Sequence, residues 1–76
     1  MGKRSKLNKA RKEKGFTQED VARLLKTTRA AYSNYETGYR KPDVETIIKL
    51  KKILNVSDDK IFLIDNDTKR VNKPTN

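Results

Sequence analysis

At 76 residues the chain has room for one compact domain with a modest core. Neither cysteine nor histidine occurs, which removes disulfides, thiolate metal sites and the commonest general base, so catalysis and metal chemistry are disfavoured and no cofactor is expected. Nineteen Lys and Arg against ten Asp and Glu leave a net charge of +9, a bias towards a polyanionic partner.

The charge is unevenly spread. Residues 1–15 hold seven positive charges and one negative, net +6, whereas residues 43–63 balance four against four. A surplus needed only for solubility would not have to gather at one end. No apolar run approaches the roughly 20 residues that span a bilayer, and no apolar stretch follows the basic N-terminus, so a soluble, cytoplasmic protein without membrane contact is expected.

Helical periodicity dominates. The first helix is expected from about Lys6 to Lys14, with Leu7, Ala10 and Arg11 on one face and Gly15 as a left-handed terminator. In "FTQED", Thr17 is a good N-cap with Asp20 three residues on, and Phe16 can staple onto Val21. Val21, Ala22 and Leu25 then form an inward face. A further apolar stripe of Ala31, Tyr32 and Tyr35 ends at "ETGYRKP", where Gly38 permits a left-handed residue and Pro42 disfavours helix at Lys41. Asp43 caps a helix with Val44, Ile47, Ile48, Leu50 and Leu54 turned inward, and Ser57 caps a last short helix, Asp58 to about Leu63, that buries Ile61 and Phe62. Residues 65–76 have little to bury and are expected to be a polar, disordered tail, and residues 1–5 a basic arm in front of a domain at 6–64. The expectation is an all-α domain of five helices.

Whether the chain turns at Lys26-Thr27-Thr28 is open on local physics. With Val21 at 0°, Leu25 falls at about 40°, Tyr32 at about 20° and Tyr35 at about −40°, so one unbroken helix would stay in phase. Against it, such a helix would cross the width of a small domain, and Thr28 is a good N-cap.

The run "FTQEDVARLLKTTRAAYSNYETGYRKPDVETIIKLKKILNVSDDKIF", extended back to "LNKARKEKG", resembles the Cro and phage-repressor (XRE-type) family of helix-turn-helix DNA-binding proteins. Thr17-Gln18, Ala22, Tyr35-Glu36, Gly38, Arg40-Lys41-Pro42 and Leu54-Asn55-Val56-Ser57 keep the family's register over residues 6–63. The resemblance implies a lambda-repressor-like fold, a turn before Thr28, and a recognition helix at 28–36 that enters the major groove. The chain departs from the family in placing Lys26 where glycine is frequent and Thr27 where an apolar residue is. If the turn forms, Lys26 must take a left-handed backbone.

By the same resemblance, Arg29, Ala30, Ser33 and Asn34 face the bases. Their chemistry suits base reading, since Arg29 can fork onto guanine, Asn34 can pair with adenine, and the Ala30 methyl can meet a thymine methyl. Gln18, Thr28, Thr37, Tyr39, Arg40 and Lys41 are implied phosphate contacts, with Gln18 also bracing the recognition helix. Lys3, Arg4 and Lys6 are available as a flexible arm towards the DNA. Arg11 and Glu36 are implied as a structural ion pair between the first and recognition helices, and Tyr32 and Tyr35 as core aromatics. Against each role stands a plainer one: an exposed helix-start charge for Arg29, a solvent-facing amide for Asn34, solvated loop charges for Arg40 and Lys41.

The function expected is sequence-specific binding of double-stranded DNA by a small transcriptional repressor associated with the nucleoid, reading a pseudo-palindromic operator. An alternative is a protein-interaction module, antitoxin-like or anti-repressor, built on the same fold; a nonspecific basic nucleic-acid binder is the plainest option. A chain ending soon after the fifth helix leaves any homodimer to the fourth helix, the fifth or the tail, with Ile48, Ile53 and Ile64 as candidate contacts.

Overall fold

A computed structural model of the chain describes residues 3–65. Four α-helices follow one another, α1 (Ser5–Glu13), α2 (Gln18–Leu25), α3 (Arg29–Thr37) and α4 (Val44–Leu54), and a 3-10 helix covers Asp59–Phe62. The fifth expected helix is therefore a single 3-10 turn. Its cap is Asp58, whose carboxylate accepts the Lys60 N–H at 2.9 Å, and not Ser57. A segment this short cannot repay the entropy of helix nucleation, so it takes the tighter three-residue pattern.

The helix boundaries follow from local chemistry. Thr17 and Asp20 form a reciprocal capping box at α2, with hydrogen bonds of 3.0 Å and 2.9 Å, and Asp43 caps α4 by accepting the Thr46 N–H at 2.9 Å. Three helices end the same way. At Gly15, Lys26 and Asn55 the backbone turns left-handed, with φ of +81°, +62° and +55°, and the next residue's N–H returns to the carbonyl five residues back. Gly38, φ +85°, closes α3.

The core is formed by Leu7, Ala10, Val21, Ala22, Leu25, Tyr32, Leu50, Leu54 and Ile61, with Phe16, Tyr35, Ile53, Val56 and Phe62 packed around it. α2 packs on α3 and α4, and α1 on α3 and the 3-10 helix. Tyr32 and Tyr35 meet edge to face, ring centres 6.2 Å apart. Two residues of the expected apolar stripe of α4 lie outside the core: Val44 is 73% and Ile48, also named above as a candidate contact, 49% exposed. Leu50 and Leu54 lie four apart and, together with half-buried Ile53, fill the α4 side of the core, leaving the stripe's other edge in solvent.

The expected N-terminal arm behaves differently at each residue. Lys6 lies inside α1, and Arg4 is buried, because its guanidinium finds carbonyl partners within the domain. Of the expected tail, Asp65 is tied to Lys3 and Ser5; residues 66–76 lie outside the described residues. Among the described residues no helix is long and apolar enough to cross a membrane.

Candidate nucleic-acid interface

α2 stops where Lys26 turns left-handed, the Thr27 N–H bonds to the Ala22 carbonyl at 2.9 Å, and Thr28 restarts the chain as α3 by accepting the Ala31 N–H on its hydroxyl at 3.0 Å. The question left open by helical phase is settled by these bonds. The turn exists, and Lys26 occupies the left-handed position usually given to glycine.

α3 has two unlike sides. At about 100° per residue, Arg29, Ala30, Ser33, Asn34 and Thr37 span one arc of about 140°, and Tyr32, Tyr35 and Glu36 fall outside it, Glu36 just past the Arg29 edge. Arg29, Ala30 and Thr37 are exposed and Ser33 and Asn34 half-buried. Among the described residues, the side chains of Arg29, Ser33 and Asn34 make no hydrogen bond or ion pair. They are polar side chains of α3 left open to an outside ligand.

The inner side is held by one carboxylate. Glu36, 5% exposed, accepts from Arg11 Nε at 2.7 Å, Tyr32 Oη at 2.6 Å, Asn8 Nδ2 at 2.9 Å and Gln18 Nε2 at 3.0 Å. Burial, the largest single influence, works to raise the Glu36 pKa; the hydrogen bonds from Arg11, Asn8, Tyr32 and Gln18 together overturn it and hold the carboxyl below its ordinary value. Arg11 is shifted upward, first by its hydrogen bond to Glu36, with burial opposing. Its Nη1 also reaches the Phe16 carbonyl at 2.7 Å. Burial, and then the hydrogen bond to Glu36, raises the Tyr32 phenol well above its usual range. The network fixes α1, the start of α2 and the end of α3 to a single point.

The expected phosphate contacts fall into groups. Gln18 spends one amide proton on Glu36 and keeps a second for an outside acceptor. Thr28 uses its oxygen as the cap acceptor, leaving its hydroxyl proton to donate. Thr37 differs, since its hydroxyl donates to the Asn34 carbonyl at 3.2 Å and would have to turn to reach a phosphate. Tyr39, 80% exposed, and Arg40 and Lys41, both exposed, project from the loop after α3. An open hollow of about 300 Å³ separates Lys3, Ser5 and Asn8 from Gln18 and Thr37.

The inward roles of half-buried Asn8 and buried Arg4 are not among the sequence expectations. A signal for both exists: Arg4, Leu7, Asn8 and Arg11 stand at i, i+3, i+4 and i+7, one helical stripe that mixes polar and apolar residues.

The sequence model of the helix-turn-helix family matches residues 7–61. Among curated proteins, the chain is 40% identical over its full length to the HTH-type transcriptional regulator ImmR of Bacillus subtilis (strain 168), covering 62% of that protein. It is 49% identical over 67% of its length to the regulator YqaE of the same organism, covering 44% of it, and 45% identical over 88% of its length to the regulator YqaF, covering 90%. The chain thus spans about half the length of ImmR and YqaE, and nearly all of YqaF. No solved structure matches it.

Proposed function

The chain belongs to the helix-turn-helix family, and from that premise we propose that it is a transcriptional regulator that binds double-stranded DNA sequence-specifically through α3. The observation that carries the reading is the division of α3: its inner side is anchored at Glu36, and Arg29, Ala30, Ser33 and Asn34 share the outer arc, the three polar ones with open hydrogen-bonding capacity. A rigid helix with unspent polar groups is what base-edge recognition in a major groove requires.

In this proposal Arg29 forks onto a guanine, Asn34 reads an adenine, Ser33 donates or accepts at a base edge, and the Ala30 methyl sits on a thymine. Gln18, Thr28, Tyr39, Arg40 and Lys41 hold phosphates, and Thr37 joins them if its hydroxyl turns outward. Lys26, exposed at the turn, adds to the same positive field. The regulator acts as a repressor: a homodimer on a pseudo-palindromic operator with half-sites about 10 base pairs apart blocks the promoter. The exposed apolar edge at Val44 and Ile48 supports a protein contact on α4, and Ile53 and Ile64, both half-buried, border it less openly. No catalytic step enters.

Selection of bound duplexes from a random DNA pool tests this reading. A palindromic consensus is expected; recovery without any consensus would overturn sequence-specific recognition. With roughly six phosphates engaged, log affinity should fall with log salt at a slope of about −5. The same exposed α4 edge favours a second reading, a module whose main partner is a protein. That reading requires Ile48→Asp to abolish function and Arg29→Ala to leave it intact.

A further inference from the structure

We propose that Arg4 is a positioning residue for DNA binding: its buried guanidinium sets the direction from which Arg40 and Lys41 leave the loop after α3. The proposal rests on the duplex-DNA reading above. Arg4 is 4% exposed, so its side chain is not an arm towards solvent. Its backbone N–H donates to the Glu36 carbonyl at 2.8 Å, and its Nη1 to the Tyr35 carbonyl at 2.7 Å. These carbonyls belong to the last turn of α3, where helical partners run out and the helix dipole is negative, so a cation is favoured there.

The same Nη1 donates to the Arg40 carbonyl at 2.9 Å, and Nε to the Phe62 carbonyl at 2.9 Å in the 3-10 helix. The Arg40 carbonyl lies in the peptide plane that joins Arg40 to Lys41. Holding that oxygen fixes the plane, and with it the starting direction of both side chains. A planar guanidinium with donors on several edges can span separate carbonyls at once; a lysine ammonium on the same stem cannot hold the same spread.

Arg4 is itself held from outside. α1 has no side-chain N-cap of its own. Asp65 supplies one, its carboxylate accepting the Ser5 N–H at 3.3 Å and the Ser5 hydroxyl at 2.9 Å, and its N–H donates to the Lys3 carbonyl at 2.8 Å. The residues on both sides of Arg4 are therefore clasped, and the guanidinium is set between the end of the recognition helix and the loop.

The test measures affinity for a mixed-sequence duplex of about 24 base pairs as a function of salt, at temperatures where circular dichroism shows each variant folded. Arg4→Met is expected to make the slope of log affinity against log salt shallower by about one to two, one for each phosphate that Arg40 and Lys41 no longer hold. A purely structural role would lower the melting temperature and leave the slope of the folded protein unchanged. In an Arg40→Ala/Lys41→Ala background Arg4→Met should change the slope no further; an additive change would mean that Arg4 itself grips a phosphate and would overturn the proposal. Arg4→Lys should resemble Arg4→Met, and a slope restored to that of the unaltered protein would assign the effect to charge alone, against the proposal. Should Arg4→Met not fold, Arg4→Lys and Asp65→Ala carry the test, Asp65→Ala shifting the slope in the same direction by less. Unchanged slopes in every folded variant would overturn the positioning role while leaving the DNA reading intact. An unaltered chain without salt-dependent duplex binding would overturn the DNA reading, and this proposal with it.

Discussion

On the inner side of α3, Tyr32 and Glu36 are buried, and the Glu36 carboxylate takes hydrogen bonds from Arg11, Asn8, Gln18 and Tyr32. On the outer side of the same nine residues, Arg29, Ser33 and Asn34 make no side-chain hydrogen bond or ion pair among the described residues. The difference teaches a division of labour within one helix. Stability and orientation are concentrated where water is excluded, because a buried charge must be fully partnered. Recognition capacity is left where water can be exchanged for a ligand. A substitution should therefore damage either the fold or the reading of bases, and seldom both.

The largest expected effect is on the inner side. Glu36→Ala leaves the Arg11 guanidinium buried without its carboxylate, which should cost about 3 to 5 kcal/mol of folding stability. Chemical denaturation measures it, and DNA binding should fail on every sequence alike because the folded population falls. A loss under about 1 kcal/mol would break the comparison by showing that water reaches the network. Acid should act on the same point. Because the folded-state pKa of Glu36 lies below its ordinary value of 4.5, its contribution is complete above that value and drains away as pH falls below it and through the folded-state value. Asp20 and Asp43, each lowered by its cap hydrogen bonds with Thr17 and Thr46, tilt the curve in the same direction. Denaturation followed from neutral pH into the acid range should show this loss, and Glu36→Gln should flatten it.

On the outer side the expected effects move from stability to binding. Arg29→Ala should leave the melting curve unchanged, cost about 1 to 3 kcal/mol on the preferred duplex and relax one base position. An equal loss on all sequences would remove Arg29 from the base readers. Lys41→Ala should be gentler still: weaker binding to all duplexes by a similar factor, and a salt slope shallower by about one. A changed sequence preference would move Lys41 from the phosphates to the bases.

What the sequence made legible follows the same division. The starts of α2 and α4 were readable because Thr17 and Asp43 act on neighbours three residues away, whereas the start of α3 at Thr28, capped in the same way, needed the family register to decide it. The outward arc of α3 was legible only through the family resemblance, since helical phase alone also allowed one unbroken helix across Lys26. The roles of Arg4, Asn8 and Asp65 were not, since each depends on atoms 28 to 60 residues distant. Asn8 shares a mixed helical stripe with Arg4, Leu7 and Arg11, but nothing in that pattern names Glu36 as its partner. Val44 misled in the opposite sense, for a stripe wide enough to look inward can pack along one edge only. The last helix was overread, because Asp58 to Leu63 carries a cap and an apolar pair but too few residues to close α-helical turns.

The smallest expected effect lies at the joint between α2 and α3. Lys26 has φ +62° and ψ +45°, a conformation that costs a side chain on the order of 1 kcal/mol and glycine almost nothing. Lys26→Gly should therefore hold or raise stability by up to about 1 kcal/mol, reduced by the greater freedom glycine gives the unfolded chain. It also deletes a charge beside the proposed phosphate-facing surface, so binding should weaken slightly and evenly across sequences. The pair of outcomes is informative because they run in opposite directions. A residue that lowers stability and raises affinity for a polyanion would explain why lysine is found at a position better suited to glycine. A variant less stable than the parent would show that the lysine stem contributes packing at the turn, and a variant with unchanged salt dependence would place Lys26 outside the DNA-facing field.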